Sequence, residues 1–196
     1  IEIIIDEFIK YGIKDFFLTI NHKGNMIKAY FEEDVRDINI NYVHEDKPLG
    51  TAGSLKMLQY LFETPFFVSN CDVIIDADYS KVYDFHIKRG YDLTMVASMV
   101  NYKIPYGVCD IENGGDLKHI TEKPEYNFLI NTGFYLLNPD VLELIPDDQF
   151  FHITELIEEL KRQGKRVGVY PVSGKAYVDV GQWEEYKQAL KIFDDK

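Results

Sequence analysis

The sequence predicts a three-layer α/β/α, Rossmann-like fold: a mixed, mostly parallel sheet with helices on both faces and antiparallel strands added late in the chain. Three observations carry this. Apolar segments of strand length alternate with amphipathic segments of helical length through the first half, the β-α-β-α rhythm of a parallel sheet. In the second half strand follows strand with little helix between. The chain is 196 residues, 46% hydrophobic and 28% charged, which is globular composition at a length that supports one core rather than two. No linker, low-complexity stretch or repeat interrupts it, so residues 1–196 read as a single domain.

The elements follow in order. Residues 1–11 place Ile1, Ile4, Ile5, Phe8 and Ile9 at helical spacing, pair Asp6 with Lys10, and end at Gly12. Residues 15–20 are a buried strand, 23–31 a second helix and 38–44 a second strand. A helix over 51–62 opens directly after the Gly50 turn. Residues 66–69 form a strand, and 79–89 a helix that Gly90 stops. Strands then cover 92–100, 107–112, 117–121 and 128–137, with Asn113-Gly114-Gly115-Asp116 as a tight hairpin turn. Pro139 starts a short helix, 152–163 a longer one, 166–172 is a strand, and 182–193 closes as a helix.

The order has one oddity. A nucleotide-binding α/β domain usually opens with a strand and a glycine-rich turn that cradles phosphates. This chain opens on a helix, and neither G-x-G-x-x-G nor G-x-x-x-x-G-K-[ST] occurs in it. Either this is not a nucleotide enzyme, or its first strand and loop are missing, which leaves a sheet position open to self-association and hence to a homo-oligomer.

The net charge of −12 argues against a nucleic-acid surface, which needs Lys and Arg to neutralise phosphates. It does not exclude a nucleotide, which needs one cationic spot and a metal. No apolar run is long enough to span a bilayer and no segment reads as a signal peptide, so no membrane partner and a cytoplasmic location are expected. Cys71 and Cys109 cannot form a disulfide framework or a zinc cage, and their apolar surroundings read as two buried thiols. The five histidines show no metal spacing and read as surface or capping residues, and the tyrosines and phenylalanines mostly as core.

Two aspartates end apolar strands: Asp72 after Phe66-Phe67-Val68-Ser69-Asn70-Cys71, and Asp179 in Tyr177-Val178-Asp179-Val180-Gly181. A carboxylate in an apolar stretch needs a partner. Mg²⁺ held by one or two carboxylates plus substrate phosphates is one solution, and capping the next turn is another. Asp76 and Asp78 read as turn and cap residues. Leu49-Gly50-Thr51-Ala52-Gly53 is a small-residue turn opening a helix, where backbone can approach a planar ligand, or simply a close-packed helix start. Glu45, in His44-Glu45-Asp46-Lys47-Pro48, is acceptor-only and suits the adjacent N–H donors of guanine, or is a solvated loop charge. Glu122-Lys123-Pro124 puts a lysine at a strand end, where it meets a phosphate as a point charge or forms a surface pair with Glu122. Asn131-Thr132-Gly133 interrupts an apolar strand with polar groups that need partners, a sugar among the candidates, and Tyr106-Gly107 opens another strand with an accessible amide.

In this order, Leu-Gly-Thr-Ala-Gly, a strand ending in aspartate, Tyr-Gly-Val, Glu-Lys-Pro, Asn-Thr-Gly and Asp-Val-Gly-Gln-Trp resemble the sugar-1-phosphate nucleotidyltransferase family over residues 1–189, nearest the CBS-domain-linked, guanylyltransferase-like branch. The resemblance implies Mg²⁺-dependent transfer of a nucleotidyl group from an NTP, with Glu45 favouring GTP, to a sugar-1-phosphate. It implies that Asp72 and Asp179 hold the metal and that Lys123 steadies the sugar phosphate. It implies Gly107, Glu122, Asn131 and Thr132 on the sugar, and Glu45, Pro48, Gly50 and Thr51 on the base. The family's glycine-rich segment is not among these residues, which implies an inactive chain as it stands. A non-catalytic nucleotide-sugar sensor or regulatory subunit is the rival, and a structural relative that uses the fold for protein contacts is a third. Retention of both aspartates weighs against the sensor.

Overall fold

The computed structural model describes residues 1–21, 24–32 and 36–181. Helix α1 (Glu2–Ile9) buries Ile4, Ile5 and Phe8 on one face. Strand β1 (Asp15–Ile20) runs parallel to β2 (Asn39–His44), connected through α2 (Gly24–Glu32). A single helical turn, α3 (Gly50–Gly53), tightens at once into a 3₁₀ segment, Ser54–Leu58. Then come β3 (Phe66–Ser69), β4 (Val73–Ile75), α4 (Tyr79–Arg89), β5 (Leu93–Lys103), β6 (Val108–Ile111), β7 (Leu117–Thr121) and β8 (Glu125–Leu137). A 3₁₀ turn over Pro139–Leu144, α5 (Ile153–Arg162), β9 (Val167–Val172), a 3₁₀ turn over Gly174–Ala176 and β10 (Tyr177–Asp179) complete the described chain.

The central sheet has the order β3-β8-β5-β9. Strand β8 is antiparallel to both neighbours and β9 is parallel to β5, so β3, β5 and β9 run the same way and one strand is reversed. That single reversal makes the sheet mixed. Alternation along the strands feeds two layers of core. Phe134 and Val96 join α1, Phe16, Val73–Ile75 and Tyr79 on one side, while Tyr135, Leu137 and Leu93 join Leu55, Leu58, Ile153, Leu156 and Leu160 on the other. Phe8 stacks on Phe134 at 5.6 Å between ring centres and Tyr79 lies 5.0 Å from both, so aromatic packing anchors α1 to the sheet.

Local chemistry explains the element ends. The Asp78 carboxylate accepts from Lys81 N–H and caps α4, as its position predicts. Helix α5 is amphipathic, with Ile153, Leu156 and Leu160 buried, and the Glu155 carboxylate accepts from His152 N–H at 2.7 Å.

Several expectations are corrected. The helix expected over 51–62 ends at Leu58, and Tyr60 adopts a positive φ of 73°. Residues 73–75 form a strand that pairs antiparallel with β10, which makes Asp72 a turn residue and not part of an apolar strand. Cys71 and Cys109 are exposed: the first sits in that turn, the second on a two-stranded ribbon covered on neither face. His86 is buried at 1% exposure, its two ring nitrogens placed against Thr94 Oγ1 at 2.8 Å and Asn138 Oδ1 at 3.0 Å, so a buried polar network takes the place of the surface role. Tyr60, Tyr102, Tyr106, Tyr126, Phe128 and Phe150 are exposed, several on the distal ribbon of β5 and β8, where no third layer covers them. His22 and the helix expected over 182–193 lie outside the described residues.

Candidate functional site

Asp72 and Asp179, more than a hundred residues apart in sequence, are brought to one place. Asp179 pairs with Val73 in the β10–β4 ladder, and Val180 N–H donates to the Asp72 carbonyl at 2.9 Å. Gly181 N–H donates to Asp179 Oδ1 at 2.9 Å. A Cβ built on Gly181 would sit 2.9 Å from Asp72 Oδ2 and 3.0 Å from Asp179 Oδ1. The two oxygens are therefore no further apart than those distances laid end to end, and they face a concavity that any side chain at 181 would fill. Asp72 is exposed and Asp179 half-buried. No Lys, Arg or His pairs with Asp72 among the described residues. Two hard oxygen donors at an open cradle match what Mg²⁺ takes from a protein when phosphates supply the remainder. Among the described residues no cluster of three or more His, Cys, Asp or Glu forms a closed metal cage.

Beside this pair lies a bulge in β8. Val96 faces Phe134 but Ala97 faces Asn131, so Thr132 and Gly133 stand outside the ladder with β5. Thr132 is 2% exposed and its hydroxyl donates to the Val96 carbonyl at 2.8 Å, satisfying an acceptor that the bulge strips from the ladder. That hydroxyl is thereby committed inside the protein, and only the backbone of Thr132 remains for a sugar. Asn131 is exposed; its Nδ2 donates to Tyr135 Oη at 2.7 Å and its Oδ1 accepts from Gly133 N–H at 3.0 Å. Burial pushes the Tyr135 phenol above its ordinary pKa, with the Asn131 hydrogen bond opposing, so the phenol stays protonated at neutral pH.

The β6–β7 hairpin carries a second group. Gly107 and Glu122 flank the first pair of the hairpin, Val108 and Thr121, and a Cβ on Gly107 would lie 3.1 Å from Glu122 Oε2. Lys123 holds a positive φ of 46°, uncommon for a residue with a side chain, just before Pro124. The Pro124 carbonyl accepts from Ile104 N–H at 3.0 Å, which anchors the turn to the strand opposite.

The expected base-binding residues are more deeply tied into the protein than a free loop. Gly50 has φ 79°, and a Cβ there would meet the Phe151 carbonyl oxygen at 2.7 Å; that oxygen accepts from both Ala52 N–H and Gly53 N–H. Backbone therefore approaches backbone here. Thr51 Oγ1 accepts from Ile153 N–H at 3.0 Å and caps α5. Glu45 Oε2 accepts from Leu49 N–H at 3.3 Å, closing the turn that contains exposed Pro48. An apolar cavity of about 930 Å³ is lined by β1 on one side and residues 65–72 on the other, and Gly50, Thr51, Asn70 and Asp72 all line it. Strands β1 and β3 are each paired along one edge only among the described residues. Glu45, Pro48, Gly107, Glu122, Lys123, Asn131, Thr132 and Asp179 do not line that cavity.

Sequence reasoning missed Asn70, Tyr135 and Gly181 as parts of the site. Gly133 was legible in principle, since a glycine inside a strand marks a bulge or a close approach. Asn70 and Gly181 carry no local signal, because their roles arise from contacts across strands.

A model of the family described as nucleotidyl transferase matches residues 1–196. The mannose-1-phosphate guanyltransferase of Yarrowia lipolytica is 33% identical over 195 residues, covering 93% of this chain and 52% of that protein. The enzyme of the same description from Saccharomyces cerevisiae is 32% identical over 207 residues, covering 96% and 54%. The chain thus spans about half the length of the curated relatives it matches. The crystal structure of HddC from Yersinia pseudotuberculosis superposes with a TM-score of 0.74 at 24% identity, over 97% of this chain and 83% of that one, and shares the fold.

Proposed function

The chain belongs to the nucleotidyl transferase family, and from that premise we propose that the protein transfers a guanylyl group from GTP to a sugar-1-phosphate, with mannose-1-phosphate the first to test. In this reaction a phosphate oxygen of the sugar phosphate attacks the α-phosphorus. The bond to the β-phosphate oxygen breaks, and pyrophosphate and the nucleotide sugar leave. The single observation that carries the reading is the meeting of Asp72 and Asp179 over Gly181. The curated relatives, described as mannose-1-phosphate guanyltransferases, support the choice of base and sugar.

The residues have distinct tasks. Asp72 and Asp179 would hold Mg²⁺, which when bound neutralises phosphate charge as the leaving group departs. Lys123 places its ammonium on the sugar phosphate, and the strained turn at Lys123–Pro124 limits where that charge can go. Gly107, Glu122, Asn131 and the Thr132 backbone take the sugar hydroxyls. Glu45, Pro48, Gly50 and Thr51 border the base. Glu45 accepts from the guanine edge, while the Gly50 and Thr51 backbone keeps the wall thin. Among the described residues β1 and β3 are each paired along one edge only, and such edges favour self-association, read out by sedimentation.

The test is pyrophosphate release by the protein expressed from its whole reading frame, with five nucleoside triphosphates against mannose- and glucose-1-phosphate. Release with GTP and a sugar phosphate supports the reading, and Lys123→Ala should then raise the KM for the sugar phosphate more than it lowers kcat. Nucleotide-sugar binding without release by any pair would overturn it in favour of a sensor.

A further inference from the structure

The acidic pair, on a turn and on β10, and the Asn131 side chain, on β8, belong to different elements, yet one contact joins them. Asn70 directly follows β3 and stands two residues before Asp72. Its N–H donates to the Gly133 carbonyl at 3.0 Å, continuing the β3–β8 pairing into the bulge. Its side chain lies flat against Gly133: a Cβ on Gly133 would meet Asn70 Nδ2 at 2.5 Å, Cγ at 2.9 Å and Cβ at 3.4 Å. Gly133 has φ 81°, and its N–H is held by Asn131 Oδ1. Asn131 is held in turn by the buried Tyr135 hydroxyl. A continuous set of contacts therefore runs from Tyr135 through Asn131 and Gly133 to Asn70, and from there along two residues of turn to Asp72.

We propose that Asn70 and Gly133 are positioning residues that fix the Asp72 carboxylate relative to Asn131. The inference rests on the proposed function for the meaning of the two ends, but not for the contact itself. The turn over residues 70–72 is exposed and has few other restraints. Its carbonyl at Asp72 takes Val180 N–H, and its amide at Asn70 takes Gly133. With the side chain of Asn70 seated on Gly133, the turn is held at both ends and Asp72 Oδ2 stays over Gly181. Removing the seat frees the turn, and adding a methyl group at 133 pushes it away. Groups that bond metal ligands directly change metal affinity by about tenfold to a hundredfold, and a contact acting through two residues of turn is expected at the lower end of that range.

The experiment uses the protein expressed from its whole reading frame and measures Mn²⁺ binding without substrate by water-proton relaxation, together with KM and kcat for the sugar phosphate. Gly133→Ala is expected to weaken Mn²⁺ binding by about tenfold and to raise KM. Adding Asn70→Ala to Gly133→Ala is expected to recover part of the Mn²⁺ affinity, because the methyl group then has room. A Gly133 that served only to reach its positive φ would show no such recovery. If Gly133→Ala does not fold, Asn70→Ala alone decides: folded by circular dichroism and with Mn²⁺ binding several-fold weaker supports the inference, and wild-type binding overturns it. A double variant no better than Gly133→Ala also overturns it. A wild-type protein that binds no Mn²⁺ removes the acidic pair as a metal site and the inference with it. That outcome differs from a wild type that binds metal and variants that bind it equally well.

Discussion

Replacing Asp72 by Asn tests the acidic pair through a change of sign. The substitution is isosteric and keeps the carbonyl that accepts from Val180 N–H, so the turn should hold. Without metal, the wild type keeps two carboxylates facing one cradle at Gly181. At the outer limit of about 6 Å two unit charges in water repel by about 0.7 kcal/mol, and screening at ordinary ionic strength leaves at least about 0.4 kcal/mol. Asp72→Asn should therefore melt about 1 °C higher than wild type in EDTA, given about 2–4 °C per kcal/mol for a chain of this size. Mg²⁺ reverses the order. At a concentration ten times its Kd it stabilises the folded state by about 1.4 kcal/mol, or about 3–6 °C, and only the intact pair responds. The assay is thermal unfolding against Mg²⁺ concentration for both proteins. A variant that melts below wild type in EDTA, or that gains as much from Mg²⁺, would refute the paired-carboxylate reading.

Three further substitutions bear on other parts of the site. Gly50→Ala forces a methyl group against the Phe151 carbonyl at a positive φ and threatens two hydrogen bonds to that oxygen. It should cost about 3 kcal/mol in urea unfolding, and a loss under about 0.5 kcal/mol would place the close approach elsewhere. Glu45→Gln keeps an acceptor for Leu49 N–H, so stability should hold while preference for GTP over ATP falls; an unchanged nucleotide profile would remove Glu45 from the base site. Lys165 bonds Asp140 and Asp92, and these hold its ammonium above its ordinary pKa of 10.5. A raised lysine pKa stabilises fully below the unfolded value and is lost as pH climbs through the folded one. The melting gap between wild type and Lys165→Met should thus be flat at neutral pH and close only above about pH 10.5; a gap that closes near pH 7 would exclude this origin.

What the sequence by itself determined is what local chemistry writes along the chain. Alternation and helical spacing placed α4, β3 and β7 at their observed bounds and located most other elements within a few residues. Asp78 as a cap and residues 113–116 as a turn followed from side-chain hydrogen bonding and glycine. The ordered motifs pointed to the family through their order along the chain, most of them at a strand end or a helix start and Asn131-Thr132-Gly133 inside β8. The sequence could not say that Val73–Ile75 pairs with Tyr177–Asp179, because a three-residue strand has no period of its own and exists only where a partner supplies its hydrogen bonds. It erred on Cys71, Cys109 and His86 because burial depends on which face is covered from elsewhere in the chain. Tertiary structure alone decided that Asp72 and Asp179 share a cradle, that the hydroxyl of Thr132 turns inward, and that Asn70 rests on Gly133. Each is a contact between residues whose separation in sequence carries no information about their distance in space.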